Sequence, residues 1–422
     1  MNRIFCLALV VLVFGIILSS AQTTLIEPTP TPVRLVVTDP MPRINSSITS
    51  VKPQIVVGSQ TDPIKLPTTA EITNLPATEN LRFRSLNFAQ LKSRIAEAKR
   101  QMLSRPIATV SSESVVNSEF VRIAFLDWKT NQIDYVVMTK DGYLSTACDK
   151  QAVSQNGKSL IARTIRANGV NTPIALISED GETYLPLMVQ YPVVREGKYI
   201  ETAYYMSTHP GLVTPEVVNA GKYYIRNVIE LAREKLRERG VTIQPKVADI
   251  AERLSAVEHV DHLRFKTEYQ PNVFSDIYTL YALNEGQTYR YSVSSAGAGG
   301  MVQMIPSTYR LIRNLYPNVP LMPDFVEGMR NHVNASQAML LYMQSTWNDL
   351  ISRPTVADAL LSGIATQEQL MAAGYNSNPA KLSGYISRGG EGWTNLIPRE
   401  TKIYLQIYDS MERFVPIVPR TR

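Results

Sequence analysis

Two cysteines in 422 residues are too few for a disulfide framework. Cys6 lies in an apolar N-terminal run, so Cys148 is the one thiol of the chain that follows. That excludes an internal disulfide in the remainder and a four-cysteine zinc site. Cys148 is expected to be a small core-filling residue. Charge is also sparse: charged residues make up 19% of the chain, and the formal net charge is +6. There is no long basic run, zinc-finger set or recognition-helix signature, so nucleic acid is not the expected partner. The positive sign suits a polyanionic wall or a membrane surface. No P-loop, no Gly-x-Ser-x-Gly elbow and no dinucleotide fingerprint occurs, which removes the chemistries those motifs serve. His259 and His262 stand three apart beside Glu258 and Asp261. No HExxH pattern forms and no third ligand is evident, so they are expected on a solvated helix face rather than at a metal.

Residues 1–21 begin Met1-Asn2-Arg3, continue as an apolar run over 4–18 broken only by Gly15, and end in Ser19-Ser20-Ala21. This predicts a signal peptide cut before Gln22, and hence an exported protein of the periplasm or cell envelope. The run falls short of the roughly 20 residues a spanning helix needs. An uncleaved N-terminal anchor, associating the chain with a membrane, is the alternative. Residues 22–83 are a Pro/Thr-rich linker containing Glu27-Pro28-Thr29-Pro30-Thr31-Pro32. Such a segment buries too little apolar surface to offset chain entropy. Within it, 33–37 and 55–57 are the segments with a strand-like composition.

Residues 84–242 read as an α+β accessory domain. Phe88, Leu91, Ile95, Ala98 and Met102 recur at helical spacing behind Asn87 as cap. Segments 120–126 and 133–139 read as a hairpin, followed by a turn at Asp141-Gly142. Further strands are expected at 174–177, 184–190 and 199–206, separated by Asp180-Gly181 and Glu196-Gly197. A long helix closes the domain between Thr214-Pro215 and Gly240, burying Val218, Ile225, Val228, Ile229, Ala232 and Leu236. Helix, five antiparallel strands and helix resembles extracytoplasmic sensor folds of the PAS type in element order alone. Its ligand or protein partner is unknown from sequence.

Residues 245–416 read as mostly helical. Val247, Ile250, Leu254, Val257 and Leu263 set a first stripe, and a helix from Asp276 carries Ile277, Leu280 and Tyr281 towards Glu285-Gly286. The many tyrosines of this region (281, 289, 291, 309, 316, 342) are expected in the core or at a rim. The expected fold class is therefore α+β multidomain: a small domain with an antiparallel sheet, then a mostly helical domain.

The chemistry is expected at Glu285. It ends an apolar helix, where the negative end of the helix dipole and the loss of water both disfavour a carboxylate. A carboxyl so placed keeps its proton near neutral pH, as a general acid must. A Gly- and Ser-rich loop follows, with glycines 297, 299 and 300, then Gln303 and the helix start Pro306-Ser307-Thr308. No Asp or Glu occurs between Glu285 and Asp324. A hydrolytic glycosidase uses a second carboxylate, so its absence nearby favours a substrate that supplies its own nucleophile. Glu391 and Glu400 are more distant acids that folding can bring in.

Three motifs resemble the soluble lytic transglycosylase domain of bacteria, a lysozyme-like family. They are Glu285 with Ser294, Gly297-Ala298-Gly299-Gly300-Met301-Val302-Gln303 and Pro306-Ser307-Thr308; Gly374-Tyr375-Asn376-Ser377-Asn378-Pro379; and Pro398-Arg399-Glu400-Thr401-Lys402-Ile403-Tyr404-Leu405. Gly286 stands where the family has Ser, Val302 where it has Met, and Asn378 where it has Gly; Asn tolerates positive φ, which would preserve that turn. The resemblance covers the C-terminal third of the chain. It implies cleavage of the MurNAc–GlcNAc β-1,4 bond of peptidoglycan without water, leaving 1,6-anhydro ends and needing no metal or cofactor. It implies Glu285 as general acid and then base, with Ser294, Gln303, Tyr375, Asn376 and Glu400 lining the groove for the glycan strand. Tyr375 is expected to hydrogen-bond near the acid. A lysozyme-type hydrolase is the nearest alternative. A wall-binding or assembly factor with an inactive domain is another, supported by Gly286.

Overall fold

The computed structural model describes residues 81–105 and 119–421. The expected signal segment, nearly all of the linker, and segments 33–37 and 55–57 lie outside the described residues.

The chain is a mixed α+β protein, with an antiparallel sheet region followed by helices. The first helix, α1 (Phe88–Ser104), starts where Asn87 accepts a hydrogen bond from the Gln90 amide at 2.9 Å. It buries Leu91, Ile95, Ala98 and Met102 at the expected spacing. β1 (Phe120–Asp127) and β2 (Gln132–Thr139) pair antiparallel in register. After them comes a short helix, α2 (Lys140–Leu144), in place of the expected Asp141-Gly142 turn. The Thr139 hydroxyl accepts from the Gly142 amide at 3.1 Å and caps that helix. Then follow β3 (Lys150–Val153), β4 (Ser159–Thr164), β5 (Ile174–Ser178), β6 (Leu185–Arg195) and β7 (Lys198–Tyr205).

Among the described residues, seven strands in two sheets, ordered β2-β1-β6-β7 and β3-β4-β5, replace the five expected. The element order behind the PAS-type likeness is therefore not the one this chain has. β3 and β4 are short and carry polar residues on one face, so they lack the apolar run that marks β5 and β6. β1 is buried on both faces because α1 covers one and the second sheet the other. Arg122 crosses from β1 to donate to the Met102 carbonyl at 2.7 Å, putting a cation on the C-terminal end of α1. Cys148, expected inside, is exposed on the segment before β3.

The long helix α3 (Pro215–Arg237) is capped by Thr214 and stopped near Gly240, which takes φ +78°. After it come α4 (Pro245–Val257), α5 (His262–Thr267), α6 (Gln270–Asn284), α7 (Pro306–Leu315), α8 (Phe325–Arg330), α9 (His332–Ile351), α10 (Pro354–Leu361), α11 (Gln367–Asn376), α12 (Leu382–Gly389) and α13 (Arg399–Phe414). The apolar stripe of α4 ends at Val257. Leu263, expected to extend it, is 62% exposed on the separate helix α5. α6 begins at Gln270, ahead of Asp276, because Pro271 starts the helix and Asp276 pairs with Arg264 at 2.7 Å instead of capping.

Packing runs straight across the expected boundary near residue 242. α3 lies along α6 and against α9, and one apolar cluster joins Val121, Phe125 and Val189 of the sheets to Ile225, Tyr281 and Leu340 of the helices. The side chain of Asn284 grips Met206 twice, accepting from its amide at 2.9 Å and donating to its carbonyl at 3.0 Å. Gly221 lets α3 and α6 touch: a Cβ there would fall 1.8 Å from the Tyr278 carbonyl oxygen. No helix of the described residues is long and apolar enough to cross a membrane. Gly221→Ala should force α3 and α6 apart and cost about 1–3 kcal/mol, the usual scale of overpacking, measurable by denaturant unfolding.

Candidate active site

Glu285 caps the C-terminus of α6 with φ +44° and ψ −123°, a conformation that favours glycine. The chain turns there through Glu285–Gln287 and carries the side chain outward to α1, where it is half exposed and ion-paired with Lys92. It does not line the cavity that holds the other motif residues. The general-acid assignment to Glu285 is therefore corrected. The helix end is as expected, but water reaches the carboxyl and an ammonium sits on it.

That cavity, about 420 Å³, is lined by Ser294, Gln303, Tyr375, Asn376 and Glu400, so all five expected groove residues meet there. Beside Glu400 the cavity holds a second acid, Glu258, the residue that ends α4. Tyr404 of α13 donates its phenol proton to Glu258 Oε1 at 2.6 Å. One side of Glu258 is open to the cavity and protein crowds the rest. Loss of water pushes its carboxyl up to about 8, against the opposing pull of the Tyr404 hydrogen bond. Tyr375 lies close by, its phenol raised by burial and by the Glu258 charge. Its hydroxyl donates to the Val302 carbonyl at 2.6 Å, so it braces the loop instead of bonding the acid.

The Gly-rich loop is shaped by its own backbone. Ser294 and Ala298 exchange hydrogen bonds at 2.9 and 3.0 Å, which uses the Ser294 hydroxyl to hold the turn. Gly300 takes φ +68°, and a Cβ there would fall 2.4 Å from the Met329 carbonyl oxygen. Gln303 adopts φ +46° and donates to the Gly300 carbonyl at 2.8 Å. His259, expected on a solvated face, is instead buried. Its ring stacks on Tyr289 with centroids 3.4 Å apart, and Nε2 lies 2.9 Å from the Met301 carbonyl oxygen. It pins the loop beside Glu258.

The other two motifs close the far wall. The Thr401 hydroxyl donates to Asn376 Oδ1 at 2.9 Å, tying α11 to α13. Glu400 stands in the first turn of α13, partly exposed, its carboxyl raised by burial. Asn378 has φ −89° rather than a positive value, and its side chain accepts from the Ala380 amide at 2.9 Å. It needs no left-handed backbone because it caps a short 3-10 turn. Gly286 faces Tyr224, away from the cavity, so its lack of a hydroxyl does not bear on this site. Of the tyrosines read from sequence, 281, 289, 291 and 309 are core residues, and Tyr342 lines the cavity.

Glu258, Tyr404 and Tyr385 are cavity or acid-holding residues that the sequence reading did not assign. A signal for Glu258 existed: like Glu285, it ends an apolar helix, and α4 is the more thoroughly buried of the two around its circumference. Among the described residues, no group of three or more His, Cys, Asp or Glu side chains is arranged to hold a metal. Comparison of the chain with models of known protein families, with curated proteins and with solved structures finds no match.

Glu285→Gly should stabilise the fold by about 0.5–1 kcal/mol in thermal or denaturant unfolding. Relief of roughly 1–3 kcal/mol of backbone strain exceeds the entropy cost of glycine and the loss of one surface ion pair.

Proposed function

We propose that this chain is an exported murein lytic transglycosylase whose helical region is lysozyme-like and whose general acid is Glu258. The observation that carries this reading is the meeting, in one cavity, of a proton-holding carboxyl with the residues of all three transglycosylase-like motifs.

At neutral pH Glu258 holds its proton and gives it to the glycosidic oxygen between MurNAc and GlcNAc. The bond from C1 to that oxygen breaks, and its electron pair leaves with the GlcNAc side. The C6 hydroxyl of the same muramic residue then adds to C1, and its proton passes to the Glu258 carboxylate. One carbon–oxygen bond breaks and one forms, the acid is restored, and no water is consumed. Tyr404 holds Oε1, which leaves the other carboxyl oxygen for the sugar. Gln303 and Asn376 offer amides to the hydroxyl and acetamido groups of the strand. A substrate outside the cytoplasm agrees with the leader read at residues 1–21.

Glu400 favours one second reading. It lines the same cavity, so a hydrolase with Glu400 as base for water has both carboxyls it needs. Digestion of purified murein followed by mass analysis of fragment ends separates the two. Anhydro ends support the transglycosylase, and reducing muramic ends together with an inactive Glu400→Gln support the hydrolase.

Glu258→Gln should lower fragment release by about 100-fold or more, while Glu285→Gln should leave it unchanged. Full release by Glu258→Gln removes the assignment. Because the reaction needs the protonated acid, kcat/KM should fall as pH rises above about 8. The same raised pKa makes the folded chain hold a proton that the unfolded chain loses from about pH 4.5 upward. Stability therefore drops as pH rises from there to about 8, and Glu258→Gln should be more stable than wild type at pH 9 in thermal melts.

A further inference from the structure

His259 follows Glu258 directly, yet its ring is buried. Its Nε2 lies 2.9 Å from the Met301 carbonyl oxygen. A carbonyl can only accept, so Nε2 carries the proton at this contact. The next carbonyl along the chain, that of Val302, accepts from the Tyr375 hydroxyl at 2.6 Å. Two side chains, one just past the end of α4 and one from α11, thus hold two successive peptide groups. The residue after them is Gln303, which lines the cavity with φ +46°. A residue with a side chain keeps that left-handed backbone only where its surroundings enforce it. With either anchor gone, the turn 300–303 is free to relax, and the Gln303 amide leaves its place on the cavity wall.

The His259 ring is itself held. It lies parallel to the Tyr289 ring, with 2° between the planes. Tyr289 also has a left-handed backbone, φ +57°, and its amide donates to the Tyr205 hydroxyl of β7 at 3.1 Å. Tyr205 and Tyr289 are both buried. One line of contacts therefore runs from the sheet through Tyr205, Tyr289, His259 and Met301 to Gln303. We propose that His259 is a positioning residue for the sugar-holding amide of Gln303, and that β7 sets it through Tyr205 and Tyr289. This gives the sheet region a part in the reaction, although none of its described side chains lines the cavity. The inference rests on the murein reading of that cavity, in which Gln303 faces the strand.

The test measures kcat and KM of the full chain on soluble glycan strands. His259→Phe keeps a flat ring on Tyr289 but removes the N–H, so it should raise KM by about tenfold, as Gln303→Ala should. His259→Gln gives up the ring, but its amide can reach the Met301 carbonyl, so it should bring KM back towards wild type. Because His259 acts through Gln303, the double variant His259→Phe/Gln303→Ala should have a KM no higher than Gln303→Ala alone. Tyr205→Phe should raise KM by a smaller factor and likewise add nothing to Gln303→Ala. A change that only destabilises the fold leaves fewer active molecules, which lowers kcat and leaves KM where it was. A wild-type KM in His259→Phe or Gln303→Ala, no rescue by His259→Gln, or losses that multiply in the double variant would overturn the inference while the murein reading stands. A wild-type KM in Tyr205→Phe would overturn the part given to β7. Absence of cleavage by wild type would overturn the murein reading and this inference together.

Discussion

The hydrogen bond from Tyr404 to Glu258 joins the first and last helices of the region after residue 245. A carboxyl stripped of water on most sides is costly to ionise. It stays in place because one oxygen has a phenol partner and the group can remain neutral. The bond exists only when α13 lies against α4, and that packing also brings Asn376, Glu400 and Thr401 to the same cavity. Positioning of the acid and assembly of the cavity wall are thus one packing event.

The sheet region is part of that assembly. Asn284 bridges to the backbone of Met206, and Glu201 of β7 holds both Arg290 and Arg330, which flank the Gly-rich loop along the chain. At the other end, Arg420 is buried between Asp249 and Glu252 of α4 and Glu230 of α3. Buried ion pairs of this kind contribute little net stability when intact but are costly to break. They fix the angle at which α3 and α4 meet. The sheets, α3 and the cavity helices consequently share one core.

Much of the architecture was readable from residue order because it depends on short-range physics. Asn87 and Thr214 cap the helices they were expected to cap. Spacing of Leu91, Ile95, Ala98 and Met102 set the face that α1 buries. The β1–β2 hairpin has its apolar segments adjacent in the chain. β3 and β4 escaped notice because neighbouring strands supply the burial that their own composition does not signal. Cys148 and His259 exchanged expected environments for the same reason: a side chain's surroundings are set by what packs over it.

The site divides in the same way. Sequence motifs selected Ser294, Gln303, Tyr375, Asn376 and Glu400, which meet in the cavity, while Glu285 of the first motif lies outside it. Sequence also set the kind of acid needed, one ending an apolar helix. Two glutamates met that description, and spacing along the chain favoured Glu285 because it stands nine residues before Ser294. Tertiary structure puts Glu258 in the cavity and leaves Glu285 half exposed beside Lys92. Between Glu258 and Ser294 the chain makes α5 and α6, leaves the cavity and returns. Separation in sequence stops measuring distance once two helices intervene, and only the packing of α4 against α13 decides which carboxyl loses its water.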